Sequence, residues 1–412
     1  MDDKLTLDLI RNAVSGSAVA FRCRQKLQPA GGEGSPVFPA TYEKGEYATE
    51  ERRIPGHEAP VPCVVLNSVQ SEANHVELAL LDAWDDKEIP LPVIAVDFAK
   101  QGLRRDLRVT SLEAPHRIAD ALLRDSLSPD GVEFRKSVHG SKIDHVDLRN
   151  ATALFELCPT ALVYGLWDST GPRGGLGAKF ARAYVSEVVG IDAVPGRKTA
   201  SRIDPAEVRL GAGPVYLRAG GGWTLDENEA AKEKGKPVKA GSKPGKNDGD
   251  GKPSQINHGN VTPSISNGGF TIAYALRTST LSLPALRRLR FPIDGQRDPA
   301  RDRAAQTALA ALALCGATLA QAAGSDLRSR CHLVPVEASH WELLDAPGEE
   351  PKSYVLDRTD AIKLYREAVE AAKATGLPWL DEPLELVPSP QLAALVRKSQ
   401  DLAVATAEAG ED

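Results

Sequence analysis

The sequence predicts an α+β fold of the split βαβ kind, enlarged by insertions. Three observations carry this. Residues 17–28 (SAVAFRCRQKLQ) alternate apolar and polar, as a half-buried strand does. Strand-like and helix-like segments then follow one another in mixed order along the chain. Two excursions rich in glycine and charge, residues 29–60 and 229–256, interrupt them without apolar periodicity.

In the first strand Val19, Phe21 and Cys23 alternate with Arg22, Arg24 and Lys26, so the three cations share one face. A solvated sheet face is the simplest account of them. After the first loop, residues 62–84 (PCVVLNSVQSEANHVELALLDAW) give a β-branched run, a polar knot, and apolar spacing at Val76, Leu80 and Leu81. That pattern predicts strand, turn and helix. Residues 91–98 (LPVIAVDF) predict another strand. Residues 110–126 (TSLEAPHRIADALLRDS) predict a helix with Pro115 in its first turn. Residues 150–169 predict a helix to Cys158 and Pro159, then a buried strand through ALVYGLW. Residues 180–193 (FARAYVSEVVGIDA) predict a strand.

Residues 229–256 hold seven lysines against four acids and many glycines, which predicts a mobile, locally basic loop. A strand and a basic helix follow in residues 266–291, then an alanine-rich buried helix over 301–323 and a strand at 331–338. Residues 359–379 predict a helix with Thr359 or Asp360 as N-cap, Gly376 past its end and Pro378 as its stop. Residues 391–409 predict a C-terminal helix.

Composition limits the function classes. The chain has 412 residues, 42% of them apolar, and a formal net charge of −6. That balance argues against a wholly basic nucleic-acid binder, though not against a basic groove on an acidic body. Five cysteines (Cys23, Cys63, Cys158, Cys315, Cys331) lack zinc spacing and predict reduced thiols. The N-terminus does not read as a signal peptide, and the longest apolar run, ALAALALCGATLAQAA, reads as too short to span a membrane. Composition therefore predicts a soluble cytoplasmic protein. No cofactor or metal is expected.

Residues 171–182 (GPRGGLGAKFAR) form the most distinctive loop, with four glycines, two arginines and a lysine. Glycines let backbone N–H groups approach a ligand, and Arg173, Lys179 and Arg182 supply positive charge. Neither nucleotide fingerprint fits. Gly177 is followed by Ala178 rather than by Lys, and a strand rather than a helix comes next. An extended phosphate chain suits the loop, and so does a plain turn with surface charges. The polar knot Asn67–Asn74 offers more side chains than one helix cap needs, and its surplus can meet phosphate or 2′-hydroxyl groups. The eight histidines form no HExxH and no pair, and there is no GxSxG. His75 and His116 read as partly buried structural residues.

The segments 31–42 (GGEGSPVFPATY), 62–80, 110–126 and 155–193 together resemble the Cas-seven backbone subunits of subtype I-U (I-G) CRISPR systems, in the RAMP superfamily, over most of residues 15–340. The resemblance implies an RRM- or ferredoxin-like palm (15–30, 60–110, 150–194 and 269–345), a helical finger insertion (111–149) and a thumb (195–268) carrying the Lys/Gly-rich loop. A helical segment (346–412) ends the chain. It implies a non-catalytic subunit that polymerises on CRISPR RNA within a Cascade effector for antiviral defence. Target DNA then reaches the complex by pairing with the guide. Implied partners are further copies of itself, a Cas-five/Cas-six-type cap and processing subunit, and a large subunit, with no membrane. The guide-binding residues implied are Arg24, Lys26, Ser68, Gln70, Ser71, Asn74, Arg173, Gly174, Gly175, Lys179 and Arg182. Type III relatives cut target RNA with an aspartate. Glu33, Glu43 and Glu46 on the early loops therefore keep open a metal-dependent ribonuclease.

Overall fold

A computed structural model describes residues 3–169, 177–243, 246–345 and 347–409. The chain forms two compact units: Met1–Phe98, Leu107–Pro195 and Gly269–Ser389 make the first, and Ala99–Asp106, Gly196–Gly268 and Pro390–Asp412 the second. Both helices and sheets are present, so the fold is mixed α+β.

The first unit is built on an antiparallel sheet. Its strands are β1 (Ala20–Pro29), β2 (Thr49–Arg52), β3 (Val61–Asn67), β4 (Tyr184–Ile191), β5 (Tyr274–Ser282), β6 (Ser325–Arg328), β7 (Cys331–Pro335), β8 (Trp341–Leu344) and β9 (Lys352–Tyr354). The order is β6-β7-β1-β5-β4-β3-β2, with β8 on the other end of β1 and β9 beyond it. β1 lies against β5 with Arg24 opposite Thr278 and Lys26 opposite Leu276. β5 lies against β4 with Thr278 opposite Glu187. Alternation therefore sends Arg22, Arg24 and Lys26 to one face, as predicted, while Phe21, Cys23 and Leu27 are fully buried on the other.

The helices of this unit are α1 (Leu7–Ser15), α2 (Val69–Asp85), α3 (Thr152–Leu157), α4 (Pro159–Tyr164), α5 (Pro299–Ala323) and α6 (Arg358–Lys373). Helix α5 is the hub, packing against α1, α2 and α6. It starts where Asp298 accepts from Ala300 N and ends at Gly324, whose φ of 93° stops a helix. By length and composition α5 would suffice to cross a membrane, contrary to the reading of this run as too short. Within the fold, however, 83% of its most apolar stretch is buried, as a core helix requires. Small residues let neighbours approach: a Cβ on Gly316 would lie 2.7 Å from the Tyr164 hydroxyl and 2.8 Å from Val76 Cγ1. Gly316→Ala is expected to overpack this seam and cost about 1–3 kcal/mol, read as a lower urea midpoint with an unchanged slope.

A buried polar network ties the sheet to α2. Glu72 accepts from Asn67 (2.5 Å) and from the Ser186 hydroxyl (2.8 Å), and the Arg277 guanidinium lies 3.3 Å from it. Arg277 also donates to Gln25 and Ser325 across the sheet. A smaller sheet runs Arg108–Thr110, Ile94–Asp97, Leu384–Pro388, Ser126–Leu127. The second unit holds most of a two-stranded ribbon, Val194–Arg202 with Val261–Thr271, and the helix Pro390–Ala409.

Four expectations need correction. Residues 110–126 form a 3-10 turn, Arg117–Ala119, and a four-residue helix, Ala121–Arg124. Asp120 divides them: its backbone is extended, and its carboxylate accepts from His116 N and Leu122 N instead of letting the helix run through. The rest of 111–149 holds further 3-10 turns, the short strand Ser126–Leu127 and irregular chain. ALVYGLW is not a strand throughout: Pro159 starts α4, Gly165 (φ 92°) ends it, and only Leu166–Trp167 are extended. Residues 229–256 contain a hairpin, Lys232–Glu233 with Lys236–Pro237, and a 3-10 turn, Pro253–Ile256. Helix α6 is capped by Asp357, which accepts from Asp360 N at 2.8 Å, rather than by Thr359 or Asp360. All five cysteines are free and buried.

Candidate nucleic-acid interface

The polar knot divides into structural and available groups. Asn67 is buried on Glu72 and lies 3.0 Å from His75 Nδ1. Ser68 caps α2, accepting from Ser71 N at 3.3 Å. The Ser68 side chain thus serves the first turn of α2, whereas Ser71 takes part in that cap through its backbone N–H. Gln70 and Asn74, one helical turn apart, are exposed on one face of α2. Both line a cavity of about 490 Å³.

Three other short segments complete that cavity. His116 and Arg117 come from the start of the 3-10 turn, Tyr164 and Trp167 from the end of α4 and the strand after it, Lys179 from the short strand Lys179–Phe180, and Arg182 from just beyond that strand. Leu166 and Phe180 are opposed in a two-stranded pair and buried, which anchors the base of the loop. The same pairing sets Trp167 opposite Lys179, whose Nζ lies 5.6 Å from the indole centroid. Trp167 is 61% exposed. Asp168, beside it, is held by Arg135 at 2.9 Å.

Charge in the cavity is one-sided. No carboxylate lines it among the described residues. Arg117 lies at its back, 6% exposed, donating from Nε and Nη2 to Glu77 (2.6 and 2.7 Å) and from Nη1 to the Gly165 carbonyl (2.9 Å). Burial pushes the Glu77 carboxyl up to about 7, although Arg117 pulls the other way. Burial and the neighbouring Arg117 charge push Arg182 down from its usual value. Neither Lys179 nor Arg182 has a carboxylate partner within salt-bridge reach among the described residues. The cavity thus offers unpaired cations, two amides and an open indole, a set suited to anions and aromatic rings.

The fold therefore brings together Gln70, Asn74, Lys179 and Arg182 of the candidates. Arg24 and Lys26 lie elsewhere, exposed on the open face of the sheet, with Lys26 Nζ 4.8 Å from the Tyr274 ring centroid. Arg22 on the same face is paired with Glu342 at 2.6 Å. Arg173, Gly174 and Gly175 lie outside the described residues. Sequence reasoning missed Arg117 and Trp167 and placed His116 in a helix. His116 is instead exposed at the cavity wall. Glu33, Glu43 and Glu46 are exposed, and among the described residues no group of three or more His, Cys, Asp or Glu is placed to hold a metal.

Comparison with curated proteins finds no match. Residues 21–195, which carry β1, α2 and every residue named at the cavity, match the family described as CRISPR-associated protein GSU0053. Over that stretch the chain is similar to a family of CRISPR-associated proteins.

Proposed function

We propose that the chain is a non-catalytic backbone subunit that grips CRISPR RNA by its phosphates in a Cascade effector of subtype I-U (I-G). Several copies line one guide, which then pairs with target DNA. The observation that carries this reading is a cavity without a lining carboxylate among the described residues, where Lys179 and Arg182 have no carboxylate partner among those residues. Phosphate contact of this kind holds a strand without reading its sequence, and base pairing by the guide does the reading.

Two further observations support it. The strand order β7-β1-β5-β4, with α2 between the first and second of these in sequence and α5 between the third and fourth, fits a ferredoxin-like palm. Gly196–Gly268 fall in the second compact unit, together with Ala99–Asp106 and Pro390–Asp412, and not in the unit that holds the large sheet, which suits a thumb. Arg24 and Lys26 on the open sheet face would extend the track of positive charge. A Cas-five/Cas-six-type cap, a large subunit and a cytoplasmic setting complete the assembly.

Filter binding of labelled single-stranded RNA across a salt series tests the reading. Affinity is expected to fall steeply with salt and to differ little among guide sequences. Binding that ignores salt would overturn it. Labelled complementary RNA incubated with the assembled complex and magnesium tests the catalytic alternative: products at regular spacing would make the subunit a ribonuclease, and intact RNA is expected.

A further inference from the structure

Phosphate binding uses only part of the cavity. Lys179 and Arg182 suffice for a backbone anion, and the exposed Trp167 offers a surface on which any base can stack, since every base has a π-face. The lining also holds the amides of Gln70 and Asn74, which neither task uses. Both stand on the exposed side of α2, and neither has a hydrogen-bond partner among the described residues. A cavity of about 490 Å³ has room for more of a nucleotide than its phosphate.

We infer that Gln70 and Asn74 read the sugar of the bound strand, so that the cavity takes RNA in preference to DNA whatever the sequence. The inference deepens the RNA-binding reading and rests on it. With the cations on phosphate and the indole under a base, the ribose is the part of the nucleotide that remains. A carboxamide carries both a donor and an acceptor, and so does the 2′-hydroxyl that DNA lacks. The cations do not suit this role. An anionic phosphate outcompetes a neutral hydroxyl for Lys179 and Arg182, and RNA and DNA present the same phosphate. Arg117 spends three nitrogens on Glu77 and Gly165. Selection by sugar has a use in the proposed setting, because a guide that pairs with target DNA displaces a single DNA strand close to the same subunits. Lys179 and Arg182 alone do not tell that strand from RNA.

Filter binding of twelve-nucleotide strands to the full chain tests this. Each strand is made as RNA and as its 2′-deoxy counterpart, with uracil kept in both, in two unrelated sequences. RNA is expected to bind roughly 10-fold tighter than the deoxy strand in both sequences, the scale of one or two neutral hydrogen bonds. The double variant Gln70→Met, Asn74→Leu is expected to bring RNA down to the deoxy level. Its salt dependence is expected to stay as in the wild type, because the phosphate contacts remain. Both positions are exposed and both replacements favour a helix, so the variant is expected to fold normally. His116 is also exposed in the lining, and His116→Ala is expected to keep the preference for RNA. Equal, salt-dependent binding of RNA and deoxy strands removes the inference and spares the backbone reading. So does a preference for RNA that survives the double variant, or one that is lost in His116→Ala instead. A loss confined to one sequence places the amides on bases and likewise overturns the inference. Failure of both kinds of strand to bind at low salt overturns the backbone reading, and the inference falls with it.

Discussion

Replacing Arg117 with methionine is expected to cost about 3–5 kcal/mol of folding stability at pH 8 and clearly less at pH 5.5. Arg117 and Glu77 form a bidentate pair at the back of the cavity, 6% and 2% exposed. Removing the guanidinium leaves a buried carboxylate with no partner of opposite charge, the costliest way to break such a pair. The pH dependence follows from the direction of the Glu77 shift. In the unfolded chain its carboxyl titrates at the ordinary 4.5, and in the fold burial raises it to about 7. The folded state therefore holds the proton more tightly, and in the wild type this group's contribution to stability falls as pH rises from 4.5 to about 7. Without Arg117 only a Thr160 hydrogen bond and the weaker pull of the Arg182 charge offset the burial, so the loss continues above pH 7. Urea unfolding at the two pH values reads the difference. Adding Glu77→Gln to the variant should recover much of the loss at pH 8. An equal cost at both pH values would mean that Glu77 is not the group responsible.

The double variant Lys179→Ala, Arg182→Ala is expected to weaken single-stranded RNA binding by roughly 10- to 100-fold, about 1–3 kcal/mol, the scale of one or two charge-assisted contacts. Both side chains are exposed and lack carboxylate partners within salt-bridge reach among the described residues, so the fold should not suffer. The salt dependence gives a sharper signature. Each phosphate neutralised on a single strand contributes about 0.7 to the slope of log K against log salt, so losing two should lower it by about 1.4. The loss should be similar for any guide sequence, because phosphates carry none. An unchanged slope, or a loss confined to one sequence, would place the phosphate contacts elsewhere.

Regular elements were legible where one physical signal ruled. The alternation in β1 and the spacing in α2 and α6 follow from burying one face, the alanine-rich run of α5 follows from burial on all sides, and the structure keeps each of these elements. Elements were lost where a single side chain or turn overrode the pattern. Asp120 breaks what reads as a helix because its carboxylate takes two backbone N–H groups. The run after Cys158 is apolar on all sides, and such a run does not tell helix from strand. Pro159 and Gly165 settle it as helix α4. In the lysine-rich stretch, Lys234 and Gly235 both have positive φ (50° and 76°), the requirement of a tight hairpin turn. Gly235 was a readable sign of that turn, hidden by the surrounding charge.

The candidate site was legible in its polar and charged residues and not in its walls. Gln70, Asn74, Lys179 and Arg182 stood out because the knot and the loop hold more such groups than local structure uses. Trp167 ends an apolar run, and nothing in that run shows that its ring faces outward. Arg117 reads as one charge on a helix, because its partner Glu77 is forty positions away in the chain. The cavity itself arises where residues near 70, 117, 165 and 180 meet, and only the folded chain supplies that meeting.

The most direct test of the central claim is to purify the protein with the products of its own operon and sequence the nucleic acid that accompanies it. The account predicts small RNAs of uniform length, each carrying a repeat-derived end and a variable spacer. Its prediction extends to their depletion when Lys179 and Arg182 are both replaced by alanine. A preparation free of RNA at low salt would contradict it.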